Sequence, residues 1–306
     1  MNVTGLSIGQ VALAALMNIA LAFAIGSALL ERWLVLEGQP ARPAWQRAQS
    51  SLVAATFALV LADVLWLVYE SASMSGVGLA MGLGAVPTVL GQTHVGHAWC
   101  LAFGGALLAL GAALIGRGGR AAQAVFWLAV IAVALGKGSI GHAADAGPFS
   151  IAVAVQALHV LATGVWGGIV LAGGLLVLPA LDTSTTRGVL IRVAARVSNA
   201  SATALIVVVA TGVFNAYRGL GGSLDPLSES TWGHVFTLKA ALVLFAVLLG
   251  GLNRTLALPR LRRTASTEDA HTFNNVLHLE ALVMIGIFVV AAVLAHCMPA
   301  YTLPPR

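Results

Sequence analysis

The chain has 306 residues, 59% of them apolar and 9% charged, with a formal net charge of +5 at neutral pH and a mean hydropathy of +0.93. Soluble domains carry about 25% charged residues, so the composition excludes a soluble globular protein and indicates an integral membrane protein whose first partner is the lipid bilayer. The basic residues are scattered between apolar runs rather than gathered on one face, which also excludes a nucleic-acid-binding surface.

A spanning helix needs about 20 mostly apolar residues. Eight windows of that kind occur, at 8–30, 50–69, 95–115, 122–141, 151–178, 197–216, 234–252 and 276–297. The expected fold is therefore all-α, a polytopic membrane bundle of about eight transmembrane helices. No Lys or Arg precedes the first window ("MNVTGLSIGQ"), so it reads as a helix and not as a cleaved signal peptide. Between the second and third windows runs a long connection, 70–94, rich in Gly, Ser and Met. Such a segment can dip back into the membrane where protein or water covers its backbone. The expected organisation is an N-terminal four-helix half (1–150) carrying that outer loop and a C-terminal four-helix half (151–306), together one integral membrane unit. The two cysteines, Cys100 and Cys297, are too few for a disulfide framework.

Arginines sort by side. The connections after the first, third, fifth and seventh windows hold Arg32, Arg42, Arg47, Arg117, Arg120, Arg187, Arg192, Arg196, Arg254, Arg260, Arg262 and Arg263, whereas the opposite side holds Arg218 and Arg306. The positive-inside rule then places both termini outside the cytoplasm.

With that orientation the soft and imidazole side chains fall largely on one face. His94 and His97 open the third window with Cys100 one turn deeper, His142 closes the fourth, His234 opens the seventh, and His296, Cys297 and Met298 end the eighth. Met74 and Met81 lie in the outer loop, and His159 sits about 12 Å below that face at 1.5 Å per residue. Only His271 and His278 fall on the cytoplasmic side. Any one of these is ordinarily interfacial filler or packing. Their joint clustering points to a metal site near the outer face, drawn from His94, His97, His142, His159, His296, Cys297, Met298 and Met74. Consecutive residues of a regular helix diverge by about 100°, so the three-residue ending converges on one ion only if Pro299 unwinds it. Thioether and thiolate donors select Cu(I) while imidazole accepts either copper state, so a copper ion is the expected ligand.

Ionisable groups inside spans are functional candidates by default. Asp63, Lys137 and Lys239 lie at comparable depth below the outer face, where the sequence suggests one polar layer with His159; snorkelling is the alternative for the lysines. Glu280, in the inner third of the last window, is expected to pair with a loop arginine or to serve as a step in a permeation path. Asn199, Thr203, Thr211 and Asn215 are expected to hydrogen-bond between helices, and the glycines at 164, 167, 168, 173 and 174 to allow close helix contact. No Walker loop, HExxH or GxSxG elbow occurs, so no catalytic activity is expected.

The segment "RVSNASATALIVVVATGVFNAYRGL" followed by "STWGHVFTLKAALVLFAVLLGGLNRTLALPRL" resembles the CopD family of bacterial copper-resistance membrane proteins. The matching positions are Arg196, Ser198, Thr211, Gly212, Asn215, Gly233, Lys239, Asn253 and Arg254, with Trp232 in place of the usual aromatic and Glu280 matching a glutamate of the last helix. Upstream, "SMSG" with Met74, "THVGHAW" with Thr93, Gly96 and Trp99, "GHAA" with His142 and "LHVLATGVWGG" with His159, Trp166 and Gly168 are also similar. The likeness spans most of residues 70–295. His94, His97, His234 and the His296–Met298 ending stand outside the family pattern. The resemblance implies an inner-membrane protein that handles copper, moving it toward the cytoplasm alongside a separate periplasmic CopC-type carrier. The rival expectation is a b-type haem protein in electron transfer, because two histidines on separate helices at similar depth are all that bis-His ligation of haem b requires.

Overall fold

A computed structural model describes residues 3–115, 119–147 and 149–298; the side chains of Val3, Thr4 and His142 lie outside the description. Among the described residues there is no strand, and eight helical stretches are long and apolar enough to cross a membrane. In chain order the helices are α1 (Val3–Val35), α2 (Arg42–Met74), α3 (Leu79–Gln92), α4 (His94–Ile115), α5 (Arg120–Gly138), α6 (Ile151–Ala172), α7 (Arg187–Leu220), the single turn α8 (Pro226–Glu229), α9 (Thr231–Leu252), α10 (Leu258–Thr264) and α11 (Thr267–Ala295).

Most helices run past their apolar windows at the arginine-rich end. Arg42, Arg47, Arg187, Arg192, Arg196, Arg260, Arg262 and Arg263, expected in loops, lie on helix. The reason is physical: hydropathy sees only the part of a helix in hydrocarbon, whereas backbone hydrogen bonding carries the helix on into the headgroup zone, where charged side chains are solvated. Local chemistry sets several of the ends. Ser150, Ser230 and Ser266 cap α6, α9 and α11 by accepting hydrogen bonds from the backbone N–H of Val153, Gly233 and Asp269, at 3.3, 2.9 and 3.1 Å. Gly221 ends α7 in the left-handed conformation (φ 67°) that a residue without Cβ adopts freely.

The connection 70–94 is mostly helical. α2 continues to Met74, and α3, only 14 residues long and containing Pro87, packs against α2 and α4. Gly82 lets it approach α2 so closely that an added Cβ would lie 2.8 Å from Ala72 Cβ.

α1 and α6 form the central crossing. A Cβ on Gly26 would overlap the backbone carbonyl of Gly168, and one on Gly168 would overlap the carbonyl of Ala22. Ala22 with Gly26, and Gly164 with Gly168, are small residues four apart on facing helices, the pattern that lets membrane helices touch through their backbones. α1 also packs on α2 and α11, and α6 on α5, α7 and α11. Apolar cores lie on either side, one including Leu21, Leu59, Ala106 and Val130, the other Leu171, Leu190, Ala246 and Met284.

Two five-residue π-helical turns, Gly173–Val177 and Asn253–Ala257, end the α6 and α9 spans at the arginine-rich side. Each lies just ahead of a proline, Pro179 and Pro259. Proline has no N–H to bond residue i−4, and its ring clashes with that residue's carbonyl. The i−4 residues, Leu175 and Thr255, sit inside the two widened turns. The same end is tied across elements by Glu37, whose carboxylate lies 2.6 Å from Arg192 and 3.0 Å from Arg196. Asp182 accepts from Arg187 at 2.7 Å and from Asn274 at 3.0 Å.

Gly26→Ala is expected to cost about 1–3 kcal/mol or more, because the α1 and α6 backbones must separate. Gly104→Ala, where a Cβ meets nothing within 4 Å, is expected to change stability by no more than about 0.5 kcal/mol. Thermal unfolding of the two variants in the same detergent checks the contrast, and equal midpoints would contradict the close crossing.

Candidate functional site

The residues expected to hold a metal at the outer face take up separate positions. His94, His97 and Cys100 follow one another at three-residue spacing along α4, and all three side chains are exposed. The other face of α4 seats the helix. Thr93 hydroxyl accepts from Gly96 N–H at 3.0 Å and donates to the Val89 carbonyl at 2.8 Å. Trp99 donates its indole N–H to the backbone carbonyl of Asp63 at 3.0 Å and stacks on Phe103 with ring centroids 4.5 Å apart. The "THVGHAW" segment is thus a docking device whose histidines are turned outward. His234 is exposed and its Nε2–H donates to the Ser228 carbonyl at 2.9 Å. Met74 and Met81 are exposed.

α11 ends at Ala295, and the backbone leaves the helix over His296–Met298. His296 Nδ1–H donates to the Ala292 carbonyl at 2.8 Å, which leaves Nε2 as the nitrogen with a free lone pair. Cys297 is half-buried, and that burial pushes its thiol up from the usual value, which opposes formation of the thiolate a metal binds. Met298 is 75% exposed. Among the described residues no three of the His, Cys, Asp and Glu side chains group as a metal-holding cluster. The metal site expected from among His94, His97, His142, His159, His296, Cys297, Met298 and Met74 does not appear as such a cluster among the described residues; the side chain of His142 lies outside them.

The structure does bring His296 to a partner that sequence reading passed over. Glu70, half-buried near the end of α2, accepts a hydrogen bond from Gln10 Nε2 of α1 at 2.7 Å and lies within electrostatic reach of His296. Met74 follows one turn later. The apolar window stopped at residue 69, so Glu70 was placed in the outer loop; the missed signal is a carboxylate one residue beyond a span whose helix continues.

Deeper in the bundle lie Asp63, Lys137, Lys239 and His159, the residues expected to form one polar layer. Asp63 is 1% exposed, its carboxylate oxygens have no hydrogen-bond partner, and the charge acting on it is that of Lys137 on α5. Lys239 on α9 instead acts on His159 of α6. His159 Nδ1 lies 2.8 Å from Thr211 Oγ1 on α7. The Thr211 hydroxyl already donates to the Val207 carbonyl at 2.6 Å, so its oxygen accepts from His159 Nδ1–H. With Nδ1–H as donor, Nε2 keeps its lone pair, the form in which histidine ligates metals. One turn toward the outer face, Asn215 Nδ2 donates to Gln156 Oε1 at 2.8 Å. Thr211 and Asn215 therefore bond across helices as expected, as does Asn199 through Arg254, while the Thr203 hydroxyl donates to the Asn199 carbonyl of its own helix.

Glu280 is 3% exposed and forms no ion pair among the described residues, so the expected salt bridge to a loop arginine is absent. Its carboxylate is hydrogen-bonded by Trp166 and rests on Gly250, where a Cβ would stand 3.1 Å from Oε1. Arg254, which also lines the space beside Glu280, turns its guanidinium to the Ser198 carbonyl and hydroxyl and to Asn199 Oδ1, at 3.0, 2.9 and 3.2 Å.

As a copper site the arrangement offers one prepared imidazole inside the membrane and several dispersed imidazole and sulfur groups at one end. It is a set of single donors that fit copper by chemical type and do not enclose it.

Comparison with known proteins agrees with this chemistry. The family model for copper resistance protein D matches residues 191–294, and that for the copper resistance protein D-like N-terminal domain matches residues 5–151. No curated protein and no solved structure matches the chain. The two family matches cover most of the eight-span bundle, and the chain belongs to the CopD family of copper-resistance proteins, multi-pass proteins of the inner membrane.

Proposed function

We propose that this protein takes up copper at its histidine-rich face and passes it through the membrane toward the arginine-rich face. The observation that supports the proposal is the His159–Thr211 contact of 2.8 Å, which orients an imidazole between α6 and α7 inside the bundle. The arginine distribution supports a periplasmic histidine-rich face and cytoplasmic delivery. On this reading His94, His97, His142, Met74 and the His296–Met298 end are first contacts, exposed so that a separate CopC-type carrier can hand its ion over. His159 receives copper from them, and Asp63, Lys239 and Glu280 supply the polar interior along the way. Copper is cargo here, no bond is made or broken in a substrate, and no haem takes part.

Cells carrying His142→Ala together with His159→Ala are expected to accumulate less copper than cells with the wild-type chain at equal membrane abundance. Wild-type accumulation would overturn the proposal. Metal analysis and an absorption spectrum of the purified protein separate it from electron transfer: copper without a Soret band is expected, and a Soret band lost in His159→Ala would decide for haem.

Thr211→Val removes the oxygen that pins the His159 tautomer. Partners of this kind change metal affinity or activity by about 10–100-fold. Thr211→Val is therefore expected to slow copper uptake at least about tenfold, with Thr211→Ser restoring it; equal uptake by all three would show that His159 is not a donor.

A further inference from the structure

Between α6, α7, α9 and α11, in the half of the bundle toward the arginine-rich end, lies a cavity of about 160 Å³. Its polar lining consists of Glu280, Asn253, Ser201, Ser198 and Arg254. Asn253 is 5% exposed, and neither its carboxamide oxygen nor its nitrogen has a hydrogen-bond partner; the Ser201 hydroxyl has none either. A buried amide without a partner costs about 1–3 kcal/mol, so this lining is adapted to something polar that enters the cavity. Asn253 also opens the π-helical turn that ends the α9 span, and π turns occur frequently at functional sites.

The lining decides which ligand fits. It contains no His, Cys or Met, so Cu(I) finds no soft donor there. A metal cation of any kind would also share the cavity with the Arg254 guanidinium, at a cost in like-charge repulsion. Arg254 and Glu280 are the only ionisable groups in the lining: α6 contributes Trp166 and Val170, α7 only small polar and apolar side chains, and α11 Phe273 and Leu277 besides Glu280. Arg254 is committed to Ser198 and Asn199, so the Glu280 carboxylate has no fixed counter-ion. A proton neutralises it through an O–H bond on the carboxylate itself and needs no further ligands from the lining. The lining is mostly apolar, but where Glu280, Asn253, Ser201 and Ser198 meet it offers the two to four polar partners that a water needs, and Arg254, which also lines it, is exposed.

We propose that Glu280 is a proton-exchange site, loaded and unloaded through this cavity from the arginine-rich side, which makes copper movement through the bundle proton-linked. The step is a proton transfer between a cavity water and a Glu280 carboxylate oxygen, with no electron moved. The linkage rests on the transport role proposed above; the exchange site does not. Ser201 and Thr211 are ten residues apart on α7, about 15 Å along the helix, so the proton site and the His159 donor are distinct stations on one helix.

The test uses the full chain in liposomes. Infrared difference spectra are expected to show a carboxylic C=O band that follows bath pH, shifts in D2O and is missing from Glu280→Gln. A Glu280 band indifferent to bath pH or to D2O overturns the exchange site. Asn253→Leu is expected to slow the D2O shift at least tenfold, and an unchanged rate overturns the route through the cavity. With an entrapped pH dye, copper addition is expected to drive a proton flux that Glu280→Gln abolishes; a variant that moves copper with the wild-type pH profile overturns the linkage. A wild-type chain that moves no copper removes the transport reading and the linkage with it, while the infrared titration still decides whether Glu280 exchanges a proton.

Discussion

In hydrocarbon no hydrophobic force drives helices together, so association rests on dispersion between closely approaching surfaces and on a few hydrogen bonds. The crossing of α1 and α6 is where the chain meets this constraint most fully. Ala22 and Gly26 on one helix and Gly164 and Gly168 on the other let two backbones touch where any Cβ on Gly26 or Gly168 would collide with a carbonyl. Because α1 leads on to α2 and α11, and α6 to α5, α7 and α11, this contact fixes the distance between the two apolar cores. It also sets the frame in which His159 of α6 meets Thr211 of α7 and Trp166 of α6 meets Glu280 of α11.

Within that frame, polar groups are placed unevenly. Several at the arginine-rich end are tied across elements: Glu37 holds two arginines, Asp182 an arginine and an asparagine, and Arg254 three oxygens of α7. Other buried groups are left open. Asp63 lacks any hydrogen-bond partner for its carboxylate, Asn253 any for its amide, and Glu280 any ion pair. Buried groups in this condition destabilise a fold unless something else completes them. A bundle that keeps three of them buried holds polar groups that an arriving proton or water can complete.

Much of the architecture could be read from composition, because a membrane restricts the chain to helices and helices of spanning length are visible as apolar windows. The windows placed all eight spans and the glycine contacts of α6, but they ended too early wherever a helix outlasts the hydrocarbon. Ending the window early removed Glu70 from α2 and so hid a carboxylate within electrostatic reach of His296. The outer histidines were legible as a cluster in one dimension only. Sequence gives their depth, which is shared, but not their azimuth: on α4 the face carrying Gly96 and Trp99 turns inward, and His94, His97 and Cys100 therefore turn out. His159 was found for its depth, yet what prepares it is Thr211, 52 residues away, and no local pattern signals a hydrogen bond between distant helices. Asn253 was visible only through family likeness, since its exposure to a cavity depends on the π turn that Pro259 induces.

The dispersal of donors bears on what kind of copper protein this is. A storage or sensor site benefits from three or four ligands converging to hold the ion tightly, whereas a conducting site must bind well enough to admit an ion and weakly enough to release it. Single donors along a route satisfy the second requirement: exposed imidazoles at the surface exchange ligands readily with an arriving carrier, and one interior imidazole offers a stop without a trap. The half of the path beyond His159 has no soft donor around its cavity and one carboxylate without a counter-ion. A copper ion crossing that region gains little from the protein, so some other source must favour its exit, and a proton on Glu280 is the charge the cavity is built to admit. The proposed transport role and the proposed proton site then fit together: among the described residues no closed metal cluster forms and Glu280 has no ion pair, so copper would be held loosely and a proton would supply the bias.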